Sequence, residues 1–242
     1  MSEASTPMAE PTALPTPLGH GVQRADGFWI IELQRAERRN ALDETFADAL
    51  ASSFESLARQ APGEPALLCA QGSTFCAGAD ISFLKGIAPA ERERAFAERA
   101  RTLTPALVRL MTAVQNSDMV TVAAIQGAAS GGGWGLALAC DFRIAAADAS
   151  FWFPEVEYGR PLSERTLSML LAHVGRARAT EIALSARRYS AAELLAMGLV
   201  NEVVPREALL RHAAQLAQQL GRRSAIGLAA TKQRIAALTP CP

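Results

Sequence analysis

"VTVAAIQGAASGGGWGLALAC", residues 120–140, joins an apolar β-branched run, a glycine-rich bend and a helix-forming segment without a break. The run at 120–126 has the composition of a strand buried on both faces. The bend at 127–135 punctuates it, and LALAC continues with good helix formers. A similar arrangement stands upstream. ALLCAQ at 66–71 reads as a buried strand, and STFCAGAD at 73–80 follows as a second glycine bend, before a segment from Asp80 that reads as a helix.

Working outward, GFWIIELQR at 27–35 is a further strand. It precedes a helix from about Asp43 that sets Phe46, Leu50, Phe54 and Leu57 on one face. Residues 90–113 form a long helical region, and FRIAAADASFWF at 142–153 gives two short strands around a polar turn. The remainder is mainly helical up to a last strand in LVNEVVP. Ser190 with Glu193 makes a capping box, and Gly198 closes that helix. Strands alternating with helices define an α/β protein. No internal repeat and no linker divides residues 20–205.

Half of the 242 residues are hydrophobic, and 24 basic residues balance 24 acidic ones. The one short basic cluster, AERRN at 36–40, is no footprint for nucleic acid. Cys69, Cys76, Cys140 and Cys241 show no CxxC pairing, which fits free thiols in a reducing compartment. His20, His173 and His212 share no helix face, so no metal site is expected. Residues 1–18, rich in Pro, Ser, Thr and Ala, read as a disordered leader. No run approaches the ~20 apolar residues of a membrane helix, and a cytoplasmic protein without membrane partners is expected.

A strand-to-helix bend of Gly and Ala leaves backbone N–H groups bare and lets a ligand come close. One N–H from each bend, converging on a single oxygen, would stabilise developing negative charge. The spacing supplies neither the G-x-G-x-x-G of a dinucleotide site nor the Gly-Lys-Ser/Thr of a P-loop. The residues alone equally allow GGGWG to serve close helix-to-strand packing.

Three stretches, STFCAGADI, then AIQGAASGGGWGLALACDFRIAAADASFWFPEVEYG, then ALSARRYSAAELLAMGLVNEVVP, resemble in order and separation the enoyl-CoA hydratase/isomerase (crotonase) family. LQRAERRNAL at 33–42 is similar to that family's N-terminal signature and ATKQRI at 230–235 to its C-terminal helix, so the resemblance covers about residues 25–236. It implies a crotonase-like spiral of ββα units over residues 19–205, and a C-terminal helical trimerisation region over 206–242. The assembly it implies is a homotrimer or hexamer. The implied partner is an acyl thioester of coenzyme A or of an acyl-carrier protein. No metal or redox cofactor is called for, coenzyme A being part of the substrate.

Carried over by position, the two oxyanion amides belong to Ala79 and Gly132, with Gly78 and Gly131 beside them as substrate-binding residues. The family's hydratases use two glutamates; the place of the first is Gly135 here, and Glu155 stands in that of the second. A single carboxylate can shuttle a proton but positions a water poorly, so the resemblance points to an enoyl-CoA isomerase. Hydration or dehydration, decarboxylation, and non-catalytic thioester binding are the alternatives.

Glu155 follows Pro154 and an aromatic strand, surroundings expected to raise its pKa. Glu157, two residues on, is expected on the same side of an extended segment. Trp134 either stacks on an acyl chain or belongs to the core. Asp80 is expected as an N-cap and Asp141 as structural. Arg38, Arg39 and Lys232 are the candidates for the nucleotide phosphates. RPLSERTLSMLL at 160–171 departs from the family's usual Gly/Pro-rich loop, adding Arg160, Glu164 and Arg165.

Overall fold

The structure, a computed structural model, describes residues 19–238; the leader read at 1–18 and Cys241 lie outside the described residues. The chain opens with a hairpin, β1 (His20–Ala25) and β2 (Phe28–Leu33), closed by Asp26-Gly27 with Gly27 at φ 81°. Asp-Gly is the dipeptide that a two-residue hairpin favours. Helix α1 (Glu44–Gln60) follows, its N-cap Asp43 accepting from the Phe46 amide, and it buries Phe46, Leu50, Phe54 and Leu57 as the periodicity requires.

Three ββα units come next. β3 (Pro65–Ala70), β4 (Thr74–Cys76) and α2 (Pro89–Gln115) make the first; β5 (Val120–Ile125), β6 (Ala128–Ser130) and α3 (Gly132–Ala139) the second. β7 (Phe142–Ala146), β8 (Ser150–Trp152) and α4 (Glu164–Ser185) make the third. Beyond lie β9 (Tyr189–Ser190), α5 (Ala191–Ala196), β10 (Glu202–Val204), α6 (Arg206–Gly221) and α7 (Ala225–Leu238). The Ser190–Glu193 capping box opens α5, and Gly198 at φ 76° follows its end.

The first strand of each unit joins a six-stranded sheet of order β1-β2-β3-β5-β7-β10, parallel except for the hairpin. The second joins a four-stranded sheet, β4-β6-β8-β9. In that smaller sheet Phe75, Ala129, Phe151 and Tyr189 point into the core, while alternate residues such as Thr74, Ser130 and Trp152 line a cleft. One hydrophobic cluster extends from Phe28 to Ala217. Helix α6 buries Leu209, Ala213, Ala214 and Ala217 in it, so packing does not break at the boundary drawn at 205.

The segment after the first bend differs from expectation. Asp80 is not followed by an α-helix but by one 3₁₀ turn, Ser82–Leu84, after which Gly86 at φ 83° redirects the chain and Pro89 starts α2. Asp80 caps no helix: its Oδ1 accepts from the Ser82 amide at 2.9 Å. The short local bond competes successfully with helix formation.

Candidate active site

Asn40 fixes the first bend. Fully buried, it accepts from the Arg35 amide at 2.9 Å and donates to Gln71 O and Thr74 O, both at 2.9 Å. Ala79 pairs with Leu42 as an isolated parallel bridge, in which the Leu42 amide donates to Gly78 O and the Asp80 amide to Leu42 O. In a parallel ladder the residue between those two bonds turns its own N–H the other way. The Ala79 amide therefore faces away from Leu42, and it has no partner among the described residues.

The second bend meets the first from β6. Ser130 Oγ donates to Ala77 O at 2.9 Å, and Gly78, at φ 84°, lies so close that a Cβ there would sit 2.5 Å from Ser130 O and 3.2 Å from the Gly132 amide nitrogen. The Gly132 amide, the first of α3, is likewise without a partner among the described residues. A Cβ on Gly132 would lie 3.9 Å from the Ala79 nitrogen. The two bends thus bring two unpaired amides side by side on the cleft wall, where Ala79, Gly131 and Gly132 are lining residues. Such a pair can hold an oxygen that gains negative charge.

The glycines of GGGWG divide their work. A Cβ on Gly133 would strike Cys76 O at 2.4 Å, so that glycine serves close packing of α3 on β4. Gly131 stands at φ 49°, ψ −126°, and a Cβ there would come within 2.9 Å of Glu155 Oε1. The packing reading of the stretch holds for Gly133.

Glu155 begins a 3₁₀ turn, Glu155–Tyr158, that follows Pro154 and ends at Gly159 in the left-handed conformation. Its Oε2 is buried without a hydrogen-bond partner among the described residues. Burial pushes its carboxyl up to about 7, partly opposed by a backbone hydrogen bond. Glu157 is not on the same side: in a turn of three residues per revolution, positions two apart diverge, and Glu157 is exposed at the rim.

The vacant carboxylate position is filled. A Cβ on Gly135 would lie 2.4 Å from Met111 Cε and 3.3 Å from Thr166 Oγ1. Met111 is itself buried, and the Thr166 hydroxyl lies 3.7 Å from its sulfur.

The cleft encloses about 1340 Å³, more than the ~300–1,000 Å³ of an ordinary small-ligand pocket. Arg38 and Arg39 line it, Arg38 lying 3.5 Å from Asp80. Two expected residues lie elsewhere. Trp134 is 1% exposed and packs on Phe151 at 4.7 Å between ring centroids, which makes it core. Lys232 donates to Met119 O and to Asp141 Oδ2, both at 2.7 Å, and does not line the cleft. Asp141 is structural, also accepting from the amide and hydroxyl of Thr121.

Residues that the sequence did not single out also line the cleft: Phe96, Tyr158, and Trp152 with Arg188 at 4.0 Å over its ring. They come from separate segments, and no local pattern marks them. Cys69, Cys76 and Cys140 are free and buried, and burial pushes the thiols of Cys76 and Cys140 up to about 12. Among the described residues no helix is long and apolar enough to cross a membrane, and no three His, Cys, Asp or Glu side chains converge as metal ligands.

Two sheets wound by ββα units, with bare amides where the smaller sheet meets its helices, define the class: the chain belongs to the enoyl-CoA hydratase/isomerase family, whose model matches residues 23–239. Among its relatives, a probable enoyl-CoA hydratase of Mycobacterium tuberculosis is 36% identical over 183 residues, 76% of this chain and 70% of that one. A peroxisomal dienoyl-CoA isomerase of Arabidopsis thaliana is 31% identical, over 83% of this chain and 74% of its own. The solved structure of AtuE from Pseudomonas aeruginosa matches with a TM-score of 0.81 at 31% identity, covering 90% of this chain and 83% of AtuE.

Proposed function

We propose that this enzyme moves a proton within the acyl group of a coenzyme A thioester, shifting a carbon–carbon double bond. The thioester oxygen accepts from the Ala79 and Gly132 amides. The Glu155 carboxylate removes a proton from the α-carbon of a 3-enoyl thioester. The electron pair delocalises onto the oxygen as a dienolate, and the Glu155 carboxyl returns the proton at the γ-carbon to leave the 2-enoyl product. Atoms balance without a cofactor, and water takes no part. A carboxyl titrating near 7 holds both forms at neutral pH, as a shuttle requires.

The single observation that carries this reading is Glu155, a desolvated carboxyl standing against the bend that bears the bare amides. The names of the relatives divide between hydratase and isomerase. Isomerisation is favoured because Met111 fills the space over Gly135, where a second carboxylate would orient water.

The test follows 2-enoyl- and 3-enoyl-CoA side by side. Interconversion without water addition is expected, and Glu155→Gln should lower kcat by about 10²–10⁴-fold. Full turnover by that variant, or hydration as the faster reaction, would overturn the proposal. We also propose self-association as a trimer through α7, none of whose residues is fully buried and which leaves Ile226 84% and Leu238 83% exposed.

A further inference from the structure

The wall of the cleft beside Glu155 carries a feature that proton transfer does not use. Phe83, Phe96 and Tyr158 come from three segments: the 3₁₀ turn after Asp80, helix α2 and the Glu155 turn. Phe83 meets Phe96 edge-on at 5.9 Å between centroids, and Phe96 stacks on Tyr158 at 6.0 Å with 13° between the rings. Phe96 and Tyr158 line the cleft, and Tyr158 is 43% exposed, an apolar shelf open to a ligand.

At the edge of this shelf lies Arg160. Its guanidinium stands 5.8 Å from the Phe96 ring centroid, and its side chain is half-buried and lines the cleft. It forms no ion pair among the described residues, although Glu93 and Glu157 line the same cleft. Its amide donates to Glu155 O at 2.9 Å, so the proton-bearing carboxyl and the guanidinium belong to one short turn. A guanidinium packed against an aromatic ring is held in orientation, with N–H edges free to take a carboxylate bidentately. The cleft wall thus carries a carboxyl, an apolar shelf and, against the shelf, a cation with no ion pair among the described residues.

We propose that the acyl group this enzyme takes ends in a carboxylate, its apolar chain lying over Phe96 and Tyr158 and its terminal anion held by Arg160. The proposal rests on the thioester reading for what is attached to the acyl group, but not on any reaction.

Binding of two saturated, unreactive thioesters of equal chain length, hexanoyl-CoA and adipoyl-CoA, to the full-length protein tests it by calorimetry. The ω-carboxylated thioester should bind at least about tenfold more tightly, as one charge-assisted contact supplies. In Arg160→Met, which keeps the apolar stem, that preference should vanish while hexanoyl-CoA binds as before; Arg160→Lys should restore part of it. Equal affinities in the wild type, or a preference that survives Arg160→Met, would overturn this proposal and leave the thioester reading intact. Failure of both thioesters to bind would overturn the two together.

Discussion

Glu155 owes its chemistry to what surrounds it: it has lost water and gained no positive charge in exchange. The proton stays on until about pH 7, against 4.5 for an ordinary glutamate. In the proposed reaction the carboxylate is the form that abstracts, so kcat/KM for a 3-enoyl thioester should climb through pH 7 and level off above it; a rate flat from pH 5 to 8 would contradict the assignment. The same shift costs stability. The folded state holds the proton more tightly than the unfolded one, so stability is fullest below pH 4.5 and declines as pH rises to about 7. Glu155→Gln should therefore stabilise the fold by about 2–3 kcal/mol at pH 8 and by little at about pH 4, where the folded carboxyl is protonated and the unfolded one mostly so, a difference that thermal melts at the two pH values will show. Activity lost and stability gained in one substitution is the mark of a residue kept for function.

At the scale of elements, the bends depend on clamps more than on glycine. Asn40→Ala would orphan the Arg35 amide and the Gln71 carbonyl, would leave the Thr74 carbonyl with Gln126 Nε2 as its remaining side-chain donor, and would place an alanine at φ 53°. A loss of roughly 2–4 kcal/mol is expected, read as a lower denaturation midpoint at unchanged slope. Long elements were legible in the sequence because their patterns are strong. β3 is an uninterrupted apolar run, β5 is broken only by Thr121, and α1 shows an unbroken apolar face under an Asp cap. The unread strands lacked such signals. β1, HGVQRA, is a polar edge whose partner is the hairpin's other arm, and β4, β6 and β9 are two or three residues long, too short for alternation to register. Asp80 shows a local bond winning where propensity suggested a helix.

Over the whole molecule, the site was readable where it is made of backbone, since glycine spacing exposes amides. Its side-chain walls were not, because Phe96, Tyr158, Trp152 and Arg188 are brought together only by the winding of three units. Lys232 and Trp134 show the converse: position along the chain named them, and packing assigned Lys232 to an ion pair and Trp134 to the core. Assembly belongs to this scale too. Sedimentation should find the wild type at about three times 25.7 kDa, and Ile226→Asp should move it toward 25.7 kDa without lowering helix content. Wild type sedimenting as a single chain would remove α7 from any interface.

Polar contacts moor the final helix to the body. Lys232 grips Met119 O and Asp141, and Gln233 next to it reaches Asp118 at 2.8 Å. A segment tethered over one turn can swing out while the sheet behind it stays intact. Slackening the tether with Lys232→Met should leave the melting midpoint within a few degrees of wild type, yet speed tryptic clipping after the exposed Arg222 and Arg223. The tail would then come loose from a body that otherwise resists digestion.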